Sequence, residues 1–198
     1  MQGVSIRTLA PAPCFRRVIR VAAVLAAAFI AGQIAVRPAL ADHDGDLKIC
    51  SLYDDHKLSE RIDACTRVIK SGRVSGANLA RSYNLRGEAY RLNEQYELAL
   101  ADYARSIAIK PAAEYFANRA EVHRLQGRYD LVVDDATQAI RLDPTLNASY
   151  TIRGMAYEKI DDKARARADF NKALELPVKG NDGDWAQDLA RKHLKDMD

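Results

Sequence analysis

One spacing recurs in the second half of this chain, and it restricts that half to stacked copies of a single helical unit. Tyr83, Arg86, Gly87 and Tyr90 are followed by Ala99, Tyr103 and Pro111; the same order returns at Tyr150, Arg153, Gly154, Tyr157, Ala166, Phe170 and Pro177. Each residue lies 67 positions after its counterpart except the proline, which lies 66 after. Between them sits a degenerate copy, Phe116, Arg119, Ala120, His123, Val132, Ala136 and Pro144, set 33 residues after the first. A period of this size marks an array of supersecondary units that share a continuous core.

The residues explain why such a unit folds. Tyr83, Gly87 and Tyr90 fall on one helical face, and Ala99, Tyr103 and Ser106 on one face of the next segment. Gly87 and Ala99 lack bulk, so two backbones can approach there while aromatic rings fill the space beside them. Pro111, Pro144 and Pro177 each end an apolar helical run, because proline lacks the amide hydrogen and disfavours helix at the residue before it. The spacing predicts helices near 80–93, 96–110, 113–126, 129–142, 147–160 and 163–176 in antiparallel pairs, and a strand within 80–176 would refute it. In the middle copy Val132 is larger than its counterparts and Ala136 smaller, an exchange of volume that a packed interior tolerates. His123 stands where the flanking copies have tyrosine, which reads as a packed, hydrogen-bonded histidine rather than a ligand or base.

This pattern closely resembles the tetratricopeptide repeat. The resemblance implies an all-α fold, a right-handed superhelical stack of antiparallel helix pairs (a TPR-like α-solenoid) with a concave groove that holds another protein. In that family the first helix of each pair lines the groove. The positions that match here are Asn84, Glu88, Arg91, Glu121, Arg124, Thr151, Met155 and Glu158, with Asn118 beside them. The set is mixed in charge and suits a peptide or partner helix read by several polar contacts. Family members that clamp chaperone C-terminal carboxylates use lysine, arginine and asparagine at set positions. Only Asn118 fits that scheme, since Ala148 and Ile152 stand where basic residues are needed and Glu88 replaces an asparagine.

A second recurrence departs from the family. Arg86, Arg119 and Arg153 occupy a position where the general pattern has leucine, and Asp102, Asp135 and Asp169 each follow 16 residues later. This reads as a structural ladder of ion pairs between helices, since arginine's planar fork binds a carboxylate in two places. The alternative is six solvated surface charges. Under the ladder reading Arg119→Leu is expected to be tolerated better than Asp135→Leu, because the first restores the common apolar residue while the second strands a charge in a partly buried site.

Upstream, residues 1–41 carry five arginines (Arg7, Arg16, Arg17, Arg20, Arg37), no acid, and an apolar run from Val21 to Val36. Ala39-Leu40-Ala41 then precedes an acidic stretch. A basic start, an apolar middle and a small-x-small site make a secretory signal peptide with cleavage after Ala41, and a retained membrane anchor is the alternative. Arg16-Arg17 lacks the flanking residues of a fuller twin-arginine motif, and Cys14 precedes the apolar run, so it is no lipid-attachment site. The formal charge of the chain is +3, and removing five arginines leaves −2 for the exported part. No basic stripe remains to track phosphates, so nucleic acid is not an expected partner.

Export governs the cysteines. With Cys14 removed, Cys50 and Cys65 can pair only with each other within the chain, and a structural disulfide is expected, with buried free thiols as the alternative. Residues 60–71 read as the second helix of a further degenerate pair, with Cys50 on a short helix before it. The stretch from Cys50 to Tyr90 is similar to the entry segment of exported proteobacterial tetratricopeptide proteins. At the other end Lys179 to Asp184 is a polar break, and residues 185–197 read as a terminal helix whose apolar side holds Trp185, Ala186, Leu189, Ala190 and Leu194, with Trp185 as a capping anchor. The expected organisation is a signal peptide (1–41), entry helices (42–79), three repeats (80–178) and a capping helix (179–198).

Four scattered histidines, no zinc spacing, no phosphate loop and no nucleophile motif argue against catalysis, and no cofactor or metal is expected. Asp42, His43, Asp44 and Asp46 read as a solvated acidic tail rather than a metal site. The expected function is a non-catalytic interaction module, an adaptor or assembly factor, periplasmic or secreted, without a stable membrane span after cleavage. The alternative is a structural subunit that self-associates through its edge helices.

Overall fold

A computed structural model describes residues 42–52, 57–178 and 183–197. The expected export signal and its cleavage site lie outside the described residues, as does most of the polar break before the last helix. The described chain is all helix and turn, with no strand among the described residues. In order the helices are α1 (His43–Cys50), α2 (Leu58–Lys70), α3 (Gly76–Leu92), α4 (Tyr96–Ile109), α5 (Ala113–Leu125), α6 (Tyr129–Leu142), α7 (Asn147–Lys159), α8 (Lys163–Glu175) and α9 (Gly183–Asp196). The pairs α3 with α4, α5 with α6 and α7 with α8 pack most extensively, and each first helix also touches the first helix of the next pair. None of these helices is long and apolar enough to cross a membrane.

The close approach within a pair rests on two glycines. A Cβ at Gly87 would lie 2.9 Å from the Tyr103 ring and one at Gly154 2.7 Å from the Phe170 ring, so each ring occupies the space a side chain would need. In the middle pair that position is Ala120, packed in one cluster with Val132 and Ala136, so that Ala136 takes the place that Tyr103 and Phe170 hold in the flanking pairs. All of these residues are buried.

The turns inside the three pairs share one geometry. Glu94, Gly127 and Asp161 are left-handed, with φ of 58°, 71° and 62°. The next amide closes a six-residue ring in each: Gln95 N donates to the Tyr90 carbonyl, Arg128 N to His123 and Asp162 N to Tyr157, at 2.8, 2.9 and 2.8 Å. This is the Schellman helix stop, which satisfies orphan carbonyls and favours glycine at its left-handed residue. Only the degenerate middle repeat has the glycine.

Candidate functional site

The arginine and aspartate recurrences meet inside each pair. Arg86 donates from Nε and Nη2 to the two carboxylate oxygens of Asp102 at 2.7 and 2.9 Å. Arg119 forks onto Asp135 at 2.8 and 2.7 Å, and Arg153 onto Asp169 at 2.8 Å twice. The remaining nitrogen of two of these arginines crosses to the preceding helix: Arg86 Nη1 donates to Thr66 Oγ1 and Arg153 Nη1 to Thr137 Oγ1. Aromatic faces complete the seats, with Tyr83 and Tyr90 at 5.6 and 5.7 Å from Arg86, Phe116 at 5.6 Å from Arg119, and Tyr150 and Tyr157 both at 5.8 Å from Arg153. The aspartate hydrogen bonds raise all three guanidinium pKa values, so the pairs stay ionised.

Burial argues for the opposite tolerance ranking to the one expected from the sequence. Asp135 keeps 8% of its side chain exposed and Arg119 25%, so removing the arginine strands the deeper charge. His123, whose Nε2 lies 3.7 Å from Asp135, is buried, and that burial lowers its pKa.

The nine groove positions divide. Asn84 is only 2% exposed. Its amide donates to Glu114 Oε1 at 3.2 Å and its oxygen accepts from Asn118 Nδ2 at 3.0 Å, so it ties α3 to α5 instead of facing a partner. Thr151 is fully buried beneath α9 and donates from Oγ1 to the Ala186 carbonyl at 3.0 Å. Both corrections have one cause: adjacent first helices pack against each other, and this position lies on the seam. Glu88, Arg91, Asn118, Glu121, Arg124, Met155 and Glu158 remain partly exposed.

Most charges on this face are already partnered. Glu88 accepts from Arg61 Nη2 at 2.6 Å, Arg124 forks onto Glu121 at 2.7 Å twice, and Glu158 Oε2 lies 2.6 Å from His193 Nδ1. Arg91 lies against the buried Tyr103, whose hydroxyl pKa is pushed up by burial. Met155 packs against the core cluster of the last pair. Ala148 and Ile152 are buried and add no charge.

The helix α9 occupies the place of a next first helix, packing on both α7 and α8. Its contact face holds the expected Ala186, Ala190 and Leu194, adds His193 and Met197, and leaves Trp185 outside. Ala186 and Ala190 are fully buried, His193 stacks on Phe170 with ring centroids 5.2 Å apart, and Leu194 and Met197 pack beside them. Trp185 is 42% exposed and is not the anchor, because two small residues let the backbone of α9 approach as Gly87 and Gly154 do elsewhere.

At the N-terminal end Cys50 and Cys65 form a disulfide with Cα atoms 4.8 Å apart. Asp46, from the stretch read as a solvated acidic tail, instead receives the fork of Arg67 at 2.6 to 3.0 Å, a hydrogen bond that lowers its pKa. Arg61, 2% exposed, donates from Nε to the Cys50 carbonyl at 3.2 Å. The sequence pattern gave no sign of this arginine, because it belongs to the degenerate entry pair. Among the described residues no three His, Cys, Asp or Glu side chains converge as metal ligands would.

The tetratricopeptide-repeat family model matches residues 80–112 and 148–177, the first and third copies. A search of the curated proteins finds no match. Among solved structures, the second tetratricopeptide domain of Spaghetti (RPAP3), solved with the HSP90 peptide SRMEEVD, is 31% identical, with a TM-score of 0.50 over 51% of this chain and 94% of that one. The Arabidopsis OM64 tetratricopeptide domain is 26% identical, with a TM-score of 0.52 over 60% of this chain and 99% of that one. The crystal structure of MamA shares the fold, with 22% identity and a TM-score of 0.62 over 79% of this chain and 90% of that one. The recurring spacing, the paired helices and these likenesses agree: the chain is an all-α solenoid that belongs to the tetratricopeptide-repeat family.

Proposed function

We propose that this protein is a non-catalytic interaction module of the bacterial cell envelope, an adaptor or assembly factor that holds a peptide or partner helix on the face of its first helices. The carrying observation is that α3 presents Glu88 and Arg91, α5 Asn118, Glu121 and Arg124, and α7 Met155 and Glu158, all partly exposed at matching positions of the first helices. The solved relative with 31% identity is a peptide-bound domain, which supports a peptide or protein as the ligand class.

The partner is not a chaperone tail of the kind that relative holds. A ligand ending in carboxylates is held by several convergent cations, and this face offers a Glu88 carboxylate, buried apolar Ala148 and Ile152, an Arg124 already joined to Glu121, and Arg91 set against the buried Tyr103. A chain read by amide hydrogen bonds and apolar contact beside Met155 fits better. Export rests on the sequence of residues 1–41, and the Cys50–Cys65 bridge agrees with an oxidising compartment.

The test places a photo-crosslinking residue at Arg91 or Glu121, and as a control at Arg141 on α6, in cells that make the full chain. Adducts of one discrete partner from the first two sites and none from the third support the reading. Equal labelling at all three overturns it. Light scattering then separates an adaptor, whose mass is independent of concentration, from a self-associating subunit. Fractionation of the same cells decides the compartment.

A further inference from the structure

The N-terminal helix α1 is eight residues long, too short to persist by itself in water. Among the described residues, the ties that hold it to α2 include the Cys50–Cys65 bridge, the Arg67 fork on Asp46, and the Arg61 Nε hydrogen bond to the Cys50 carbonyl. Its apolar contact is small, a cluster of Cys50, Ala64, Cys65 and Leu85 with Ile49 beside it. Both cysteines are buried, at 1% and 0% exposure, so a reductant reaches the sulfurs only when α1 lifts away. Low local stability makes that opening possible without melting the repeats.

Arg61 connects this helix to the first-helix face. The same guanidinium that donates to the Cys50 carbonyl donates to Glu88 Oε2 on α3 at 2.6 Å. Glu88 is among the partly exposed residues of the partner-binding face, with 18% of its side chain open to solvent. The covalent bridge, a buried arginine and a surface carboxylate thus form one continuous chain of contacts.

We propose that the Cys50–Cys65 bridge is a redox latch that holds α1 closed over Arg61 and thereby fixes Glu88. An external dithiol attacks the bridge during a local opening. The S–S bond is cleaved, two electrons and two protons convert the sulfurs to Cys50 and Cys65 thiols, and the dithiol leaves as its own disulfide. Without the bridge α1 dissociates, Arg61 loses its carbonyl acceptor, and the Arg61–Glu88 ion pair between α2 and α3 loses the helix that covers it. The consequence for partner binding rests on the proposed function, but the latch itself does not.

Hydrogen exchange measured by mass spectrometry on the purified full chain, oxidised and after dithiothreitol, tests it without any partner. Residues 43–50 are expected to exchange about a hundredfold faster after reduction, the factor that closure of a loop of this length carries. Amides of α4 to α8 keep their protection. The Arg61 Nε–H resonance, seen in the bridged form, broadens into exchange with water. A Cys50→Ser, Cys65→Ser double variant reproduces these changes without reductant, and Asp46→Asn speeds reduction while leaving the repeats' protection unchanged. Two results overturn the latch: α1 staying protected in both the reduced protein and the double variant, or every helix losing protection together, which makes the bridge a global stability element.

Discussion

The middle rung of the arginine ladder gives a ranking that sequence convention inverts. Replacing Arg119 by leucine restores the family's common residue, yet it leaves the Asp135 carboxylate with only 8% of its side chain in water and without its fork. Breaking a buried pair from one side costs about 3–5 kcal/mol. Taking up a proton to escape costs about 4 kcal/mol at pH 7, the gap from an ordinary aspartate at roughly 1.4 kcal/mol per unit. His123, 3.7 Å away, offers partial relief, so about 3 kcal/mol is expected, near the low end of the range for one-sided breakage. Replacing Asp135 by leucine strands a quarter-exposed guanidinium that keeps Phe116 beneath it and can turn toward water, which costs about 1–2 kcal/mol. At roughly 2–4 °C per kcal/mol, Arg119→Leu melts about 6–12 °C below the parent and Asp135→Leu about 2–8 °C below it. The dependence on pH separates them further. An unpartnered buried carboxyl prefers its neutral form, so folded Arg119→Leu binds a proton that the unfolded chain binds only at lower pH, and its deficit relative to the parent shrinks as pH falls from 7 to 5. Circular dichroism melts at the two pH values measure this. A larger deficit for Asp135→Leu at pH 7, or a deficit for Arg119→Leu that ignores pH, refutes the reasoning.

Other expectations concern packing, turns and titration. Gly154→Ala places a Cβ against the Phe170 ring and should cost about 1–3 kcal/mol in urea melts, as overpacking does. Glu94→Gly and Asp161→Gly relieve left-handed residues at helix stops and should each stabilise by about 1 kcal/mol; unchanged denaturation midpoints would show that the turns carry no such cost. Burial lowers the His123 pKa below its ordinary value, so its contribution is intact above about pH 6.5 and is lost as pH falls through the lowered value. His123→Phe should flatten that part of the stability profile. Thr151→Val removes the hydrogen bond to the Ala186 carbonyl under α9 and should cost about 1–2 kcal/mol, seen as faster hydrogen exchange in residues 184–197.

Much of the array was legible in the linear sequence because its signals are local. Aromatic and small residues at helical spacing, and prolines after each run, place the helices from 80 to 176 within a few residues of where they lie, with α3 starting earlier at Gly76. The 16-residue offset between arginine and aspartate reads out one turn and two helix segments, so a single repeat geometry joins all three pairs. Burial was not legible in the same way. Whether Asn84 and Thr151 face a partner or a neighbouring helix depends on how closely successive first helices stack, and that distance is set by side chains of other repeats. The exposure of Trp185 is of the same kind, since Ala186 and Ala190 admit the close contact and turn the ring outward. The link from Cys50 through Arg61 to Glu88 joins three helices and follows no period in the chain. Periodicity along the sequence determined the repeat and its ladder; the tertiary structure alone decided which polar groups spend their hydrogen bonds inside the stack, because that depends on contacts between segments far apart in the chain.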